Sequence, residues 1–482
     1  MRFRFPCLLP PSISPALLYP HCFRMNSLCT RGRARFFLPL LFLTGLVSAQ
    51  DLMMPANLRT WQATITNPAL YGAQPGRVTI GLPGVTSDFS TGDLTYDDLV
   101  IEENGRRILD LDRLPGLTTE RNEVRSDFDF ESIGATVRFN RFAVGIHHRI
   151  RSQNEFGYGP ELVELLANGN GNLVGQTVNL APFASTSSFH EIALGGSFSL
   201  NENLYLGARV KFLSGVANLQ TLPDGNIDFT TGEDNFALTL VQDYSINSSG
   251  VIDYNGLDDT QLLLDLTRVG TDGLFSANGG TAYDIGVYGD YGPFRFQIAA
   301  NDLGHRIDWD EDSRNYTFNG TTTFSGIDAL ESILDDAEPF DFESTLDSLV
   351  AAFDPTETRN GYRSELGGTY LASAEYDLNE RFTLTGIVVH RQLQETSQTG
   401  VGVGGRFTPF KFLTVGLNYN VREGDATNFG ALLVGRLGPV HLVASTDDLL
   451  TVFTPTSSNR ASVRLGASVL LFQDDDATGQ ER

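Results

Sequence analysis

From Gly368 to Phe472, apolar and polar residues alternate with a period of two. Leu413, Val415, Leu417, Tyr419 and Val421 fall on one side, and Thr414, Gly416, Asn418 and Asn420 on the other. Val463, Leu465, Ala467, Val469 and Leu471 alternate with Arg464, Gly466 and Ser468 in the same way. This spacing predicts strands with one apolar and one polar face. A soluble sandwich and a membrane barrel both use such strands, so the pattern leaves two architectures open.

The strands come in pairs. Ile133, Ala135, Val137 and Phe139 lead to a turn at Asn140-Arg141, and Phe142, Val144 and Ile146 return from it. A second pair runs from about Phe189 to Leu213 around Asn201-Glu202-Asn203. A third runs from Tyr283 to Asn301 around Tyr291-Gly292-Pro293. Further turns are predicted at Leu378-Asn379-Glu380, Thr408-Pro409-Phe410 and Leu437-Gly438-Pro439, all rich in turn-forming residues. Between pairs the connections are long, as from Ser152 to Ser187, Ser248 to Gly280 and Gly304 to Gly367. Short turns alternating with long loops is the asymmetry of an outer-membrane barrel, with the short turns periplasmic. A sandwich has no reason to keep its long loops at one end.

Strand parity adds a constraint. Phe472 ends a descending strand, and an ascending first strand is expected near Arg77 to Phe89. With a further pair around Asn226 to Asn247 the count is sixteen, and without the weakest two it is fourteen. Both are even, with both termini on the periplasmic side. The fold predicted is all-β: a closed antiparallel transmembrane β-barrel of 14–16 strands with long extracellular loops and an N-terminal plug.

The N-terminus bears on location. Phe36 to Leu46 is apolar but too short to span a bilayer; Arg31, Arg33 and Arg35 precede it, and Val47-Ser48-Ala49 follows. This is the pattern of a secretory signal cleaved before Gln50. Residues 1–24 make a poor leader, so either translation starts at Met25 or the leader is unusually long. Residues 1–49 are therefore read as leader and signal, 50–76 as a plug or periplasmic segment, 77–472 as the barrel and 473–482 as an acidic tail. Cys7, Cys22 and Cys29 all lie in the leader, so no disulfide is expected after cleavage. No segment offers around 18 consecutive apolar residues, so no transmembrane helix is expected.

Removal of the leader takes six of the 34 basic residues and no acid. That leaves 28 against 59 and a net charge near −31. Nucleic acid, which needs a basic footprint, is not an expected partner. Outer-membrane lipid, lipopolysaccharide and the barrel-assembly machinery are. Acid gathers in the predicted loops, as at Asp93 to Asp112 and Asp328 to Asp354. The second of these is read either as one or two short helices or as an acidic loop, and could engage a protein partner.

Enzyme signatures are missing: the chain has no G-x-S-x-G, H-E-x-x-H or Walker A sequence. His147, His148, His190, His305, His390 and His441 are not spaced as metal ligands, and no cofactor is expected. Asp308, Asp310 and Asp312 form a D-x-D-x-D string, but Ser313 and Asn319 stand where a calcium loop needs Gly and Glu. The polar strand faces carry Arg138, Arg149, Arg209, Lys211, Arg295, Arg406, Arg436 and Arg464. A cation facing lipid at mid-bilayer costs about 2–4 kcal/mol, so these faces are predicted to line the lumen. Two readings stand: a basic passage for anionic or carboxylate-headed solutes, or arginines paired with lumenal carboxylates such as Asp284 and Asp290, or with a plug.

Asn57 to Leu70 contains Asn67-Pro68-Ala69, which resembles the N-terminal segment of long-chain fatty-acid transporter-type barrels and of barrels in type IX secretion. Further blocks follow: Asp302-Leu303-Gly304, Ile307, Trp309, Asn315-Tyr316, Phe324 to Asp328, Tyr362 to Leu366 and Ala374 to Leu378. Their order resembles a family of uncharacterised outer-membrane barrels, known as a domain of unknown function and typical of the Bacteroidota. The resemblance covers nearly all of the chain after the signal and implies an outer-membrane location. It departs at the C-terminus, where Gln473 to Arg482 extend past Phe472. Trp61 and Asn67-Pro68 are expected in a lumenal plug. Two functions follow as expectations: passive movement or binding of a small amphiphilic or anionic solute, and a surface or secretion-associated scaffold.

Overall fold

The computed structural model describes residues 52–53, 60–103, 106–120, 122–233, 237–254, 261–262, 273–324, 354–393, 396–422 and 425–473. The acidic segment from Asp328, the signal and the C-terminal tail beyond Gln473 lie outside the described residues.

Fourteen antiparallel strands close into a barrel. They are β1 (Gly76–Ser90), β2 (Asn122–Phe139), β3 (Phe142–Tyr158), β4 (Phe183–Ser199) and β5 (Leu204–Thr221). Next come β6 (Gly279–Tyr291), β7 (Phe294–Trp309), β8 (Thr369–Asp377), β9 (Phe382–Gln392) and β10 (Ser397–Phe410). The last are β11 (Leu413–Arg422), β12 (Asp425–Leu437), β13 (Val440–Thr446) and β14 (Arg460–Gln473). Each pairs with its sequence neighbour, and β1 closes the ring on β14 with Val78 opposite Leu471 and Ile80 opposite Val469. Closure leaves no unpaired edge in the wall, which a membrane-spanning sheet requires.

The two faces sort as the alternation predicts. On β11, Leu417 is 55 % exposed and its neighbour Asn418 is 2 % exposed. Outward aromatics gather at two levels. Phe139, Phe142, Phe294, Tyr376 and Phe410 stand near the short turns, and Tyr283, Tyr370, Tyr419 and Phe429 stand higher. Six residues separate Tyr370 from Tyr376, about 20 Å of strand. That matches an apolar band of about 25 Å flanked by aromatic girdles.

Two sequence expectations change. Asn226–Thr231 and Leu238–Ser249 do form a hairpin, but it is not part of the wall, because β5 pairs directly with β6. The hairpin stands at the long-loop rim, extended by Ser313–Phe324, Thr356–Thr358 and Thr177–Asn179. Its faces explain this. Asp243 projects beside Val241 on one face and Gln242 beside Leu240 on the other, so neither is apolar enough for lipid. The second change is local: β10 runs through Thr408 and Pro409 to Phe410 by a register shift, so the chain turns at Lys411-Phe412.

Candidate functional site

The lumen holds the segment that precedes β1. A six-residue helix, α1 (Trp61–Thr66), is followed by a 3-10 turn at Pro68–Tyr71. Asn67 separates them in an extended conformation, and its side chain accepts a hydrogen bond from Ala69 N–H. Pro68 then takes the first position of the turn, where a missing N–H costs nothing. Asn67 thus ends one element and caps the next. Its amide also donates to the Val287 carbonyl and to Gln297 Oε1, at 3.1 and 3.0 Å.

The wall is shaped to this segment. Trp61 is 2 % exposed and lies over Gly81 and Gly134, which face each other across β1 and β2. A Cβ on either glycine would overlap the indole. Arg209 holds the other end of α1. Its guanidinium donates to the carbonyls of Thr64 and Ile65 at 3.0 and 2.6 Å, to the Tyr71 hydroxyl at 3.1 Å and to Asp284 at 2.7 Å. A cation on the last carbonyls of a helix satisfies groups the helix itself leaves open. Asn301 Nδ2 donates to the Thr66 carbonyl at 2.8 Å. Upstream, the N–H groups of Leu52 and Met53 donate to the Asp447 carboxylate at 2.8 and 3.0 Å.

Around this segment runs a network of paired charges. Glu191 is fully buried and accepts from Arg149 and Arg151 at 2.7 and 3.0 Å, with His147 at 3.2 Å. Lys211 Nζ lies 2.6 Å from Asp302 and 2.9 Å from Asp284. Arg464 pairs with Glu131 at 2.7 Å. Nearer the short turns, Arg295 binds Glu375 and Asp377 at 2.9 and 2.6 Å, and Arg406 shares Glu375 at 2.7 Å. Arg436 donates to Thr414 Oγ1 at 3.4 Å, and Arg138 stands half-buried next to the Asn140-Arg141 turn. Asp284 is thus an arginine partner. Asp290, opposite Arg295 in register, accepts instead from the Tyr288 hydroxyl.

The inward cations stand out in the sequence, whereas most of the acids that pair with them do not. Asp127, Asp129 and Glu131 share the parity of Ile133, Ala135 and Val137, which would turn them to lipid. A register shift between Glu131 and Ile133 reverses the faces, so the acids point inward and Phe128 outward. A bulge is hard to read from one strand, but three acids in alternation are a signal, since lipid excludes them. A second signal is composition: only Lys211 and Lys411 are lysines among 34 basic residues. Arginine's planar fork suits buried carboxylate pairs better than an ammonium does.

A cavity of about 160 Å³ lies between the plug and the long-loop end. Ile65, Leu371 and Val389 give it an apolar side; Asp88, Arg151 and Arg391 are among its charged lining. Among the described residues no group of three or more His, Cys, Asp or Glu is placed to hold a metal ion, and Asp308 pairs with Arg363.

The chain matches the Family of unknown function (DUF5723) over residues 68–447. No curated protein matches it. Among solved structures it is similar to a Pseudomonas aeruginosa FadL homologue, at 11 % identity over 85 % of this chain and 94 % of that one, TM-score 0.40. It is also similar to the P. putida toluene transporter TodX, at 10 % identity over 85 % and 91 %, TM-score 0.35. The translocator domain of the autotransporter NalP from Neisseria meningitidis gives 9 % identity over 82 % and 88 %, TM-score 0.25.

Proposed function

This chain belongs to the family of unknown function DUF5723, and from that starting point we propose that it is an outer-membrane barrel that binds and passes a small amphiphilic solute. The observation that carries the reading is the seated plug with a lumenal cavity beside it. Ile65 and Thr66 of the plug form part of the cavity wall, so a solute there contacts the plug directly. An apolar flank facing charged groups suits a molecule with a short apolar body and one charged end. A purely anionic solute is less favoured than the bare arginine pattern suggests. Arg149, Arg151 and Arg464 already hold carboxylates, which an incoming anion would have to displace.

Reconstitution into liposomes tests this reading. The full barrel is expected to pass little, and the barrel lacking residues 50–76 to pass small solutes freely. Equal, negligible flux from both would sink it. A second reading, a scaffold for another protein, draws support from the rim sheet of Leu238–Ser249 and Ser313–Phe324, which continues from the upper end of β5 beyond the fourteen-strand wall. A stable partner that co-purifies with the full chain and is lost when the rim hairpin is removed would favour that reading.

A further inference from the structure

At the short-turn end of the barrel, two neighbouring turns carry cations beside exposed rings. Arg381 ends the turn between β8 and β9, and Lys411 opens the turn between β10 and β11. The Thr408 N–H donates to the Arg381 carbonyl at 2.9 Å, so the two turns lie side by side. Arg381 and Lys411 are both exposed, and neither is paired with a carboxylate among the described residues. Glu380 is the only acid in the two turns, while Glu375 and Asp377 of β8 are engaged by Arg295 and Arg406. The chain has 59 acidic residues against 34 basic ones, yet these two cations stand open next to each other.

Four phenylalanines adjoin them on the lipid-facing side. Phe382 stacks on Phe407 across the β9–β10 ladder with ring centroids 4.6 Å apart, and Phe410 stacks on Phe412 at 5.2 Å. All four are between 37 and 57 % exposed. Phe382 and Phe407 continue the outward faces of Leu384 and Val403, so the patch is continuous with the apolar wall. A girdle supplies aromatic residues at this level all round a barrel. Here two stacked pairs meet two open cations, and the surface passes from apolar to positive towards the periplasm.

We infer that this patch binds an anionic phospholipid of the periplasmic leaflet, with its phosphate at Arg381 and Lys411 and its acyl chains along the four rings. A phospholipid presents the same order, apolar chains and then a negative phosphate. Each Lys or Arg near an anionic lipid surface gains about fivefold in binding. A choline or ethanolamine headgroup adds a cation of its own, which offsets the phosphate and meets Arg381 and Lys411 as a like charge. A second copy of the chain fits less well. A two-fold contact sets a patch against itself, so Arg381 and Lys411 would face their own counterparts.

The mature barrel in detergent micelles is equilibrated with equal amounts of phosphatidylglycerol and phosphatidylcholine of the same chain length. Native mass spectrometry then counts each lipid retained. The first lipid held is expected to be phosphatidylglycerol. Arg381→Gln and Lys411→Gln should each lower that preference about fivefold, and the double variant should nearly abolish it. Lys411→Arg, which keeps the charge, should retain it. Phe407→Ala should weaken retention of phosphatidylglycerol with both cations in place. If the double variant loses the heat-dependent gel shift of a folded barrel, the single variants carry the test. The inference is overturned if the wild type shows no preference, or if the preference survives loss of both cations. Glycerol 3-phosphate, which has the headgroup charge without the chains, is expected to leave the lipid in place. Displacement of the lipid by an equal concentration of it would overturn the lipid as occupant. So would a wild-type dimer that dissociates in the double variant.

Discussion

Two glycines and one arginine decide how the lumen is filled. Gly81 and Gly134 leave a flat floor for Trp61, and any side chain there meets the indole. Gly134→Val is expected to destabilise the seated plug by about 1–3 kcal/mol, as overpacking does. It should appear as raised ion conductance with the barrel's heat-dependent gel shift retained. Unchanged conductance would mean that Trp61 does not hold the plug. Arg209→Ala removes a different kind of contact. It leaves Asp284 without its guanidinium and the Thr64 and Ile65 carbonyls without donors. Breaking a buried pair in this way costs about 3–5 kcal/mol, so denaturant unfolding of this variant should begin at clearly lower concentration. Much of this was out of reach in the sequence. Trp61, Asn67 and Pro68 were expected in a plug from the resemblance carried by Asn67-Pro68-Ala69, but nothing in a linear chain says that Gly81 and Gly134 lie opposite each other under an indole.

Strands were the most legible level. The period of two named the outward face of β11 from Leu413 to Val421, and the burial alternates accordingly. Leu417→Arg is expected to destabilise the barrel in lipid by about 2–4 kcal/mol, while Asn418→Gln on the opposite face should change little. Reversible urea unfolding in vesicles measures both, and equal effects would overturn the assignment of faces. Periodicity failed where the backbone departs from regular pleating. The shift at Glu131/Ile133 exchanges the faces of β2, and without it Asp127, Asp129 and Glu131 read as lipid-facing. The Asn226–Ser249 hairpin is legible as strands but not as rim, because pairing is decided by β5 meeting β6. Replacing 226–249 with a short flexible linker should leave the heat-dependent gel shift intact. Loss of the shift would show that the hairpin is needed to build the wall.

For the molecule as a whole, the lumen is a set of matched charges around an inserted segment rather than a basic channel. Removing residues 50–76 should therefore open a conductance whose paired wall charges, such as Arg464 with Glu131 and Arg295 with Glu375, give little preference between cations and anions. Reversal potentials under a salt gradient measure this, and strong selectivity for either sign would contradict the matched charges of the lumen.

The sequence by itself determined the class of fold, the even strand number within a narrow range, and which face of most strands meets lipid. These follow from local rules: a pleated strand alternates its side chains, and lipid excludes charge at alternate positions. Only the tertiary structure decided which acid holds which arginine, which hairpin leaves the wall, and where the plug sits. Arg209 reaches Thr64 and Asn67 reaches Gln297 across more than a hundred residues of chain. Such partners are set by ring closure, strand register and local register shifts, and a one-residue shift in any of them gives every inward side chain a different neighbour.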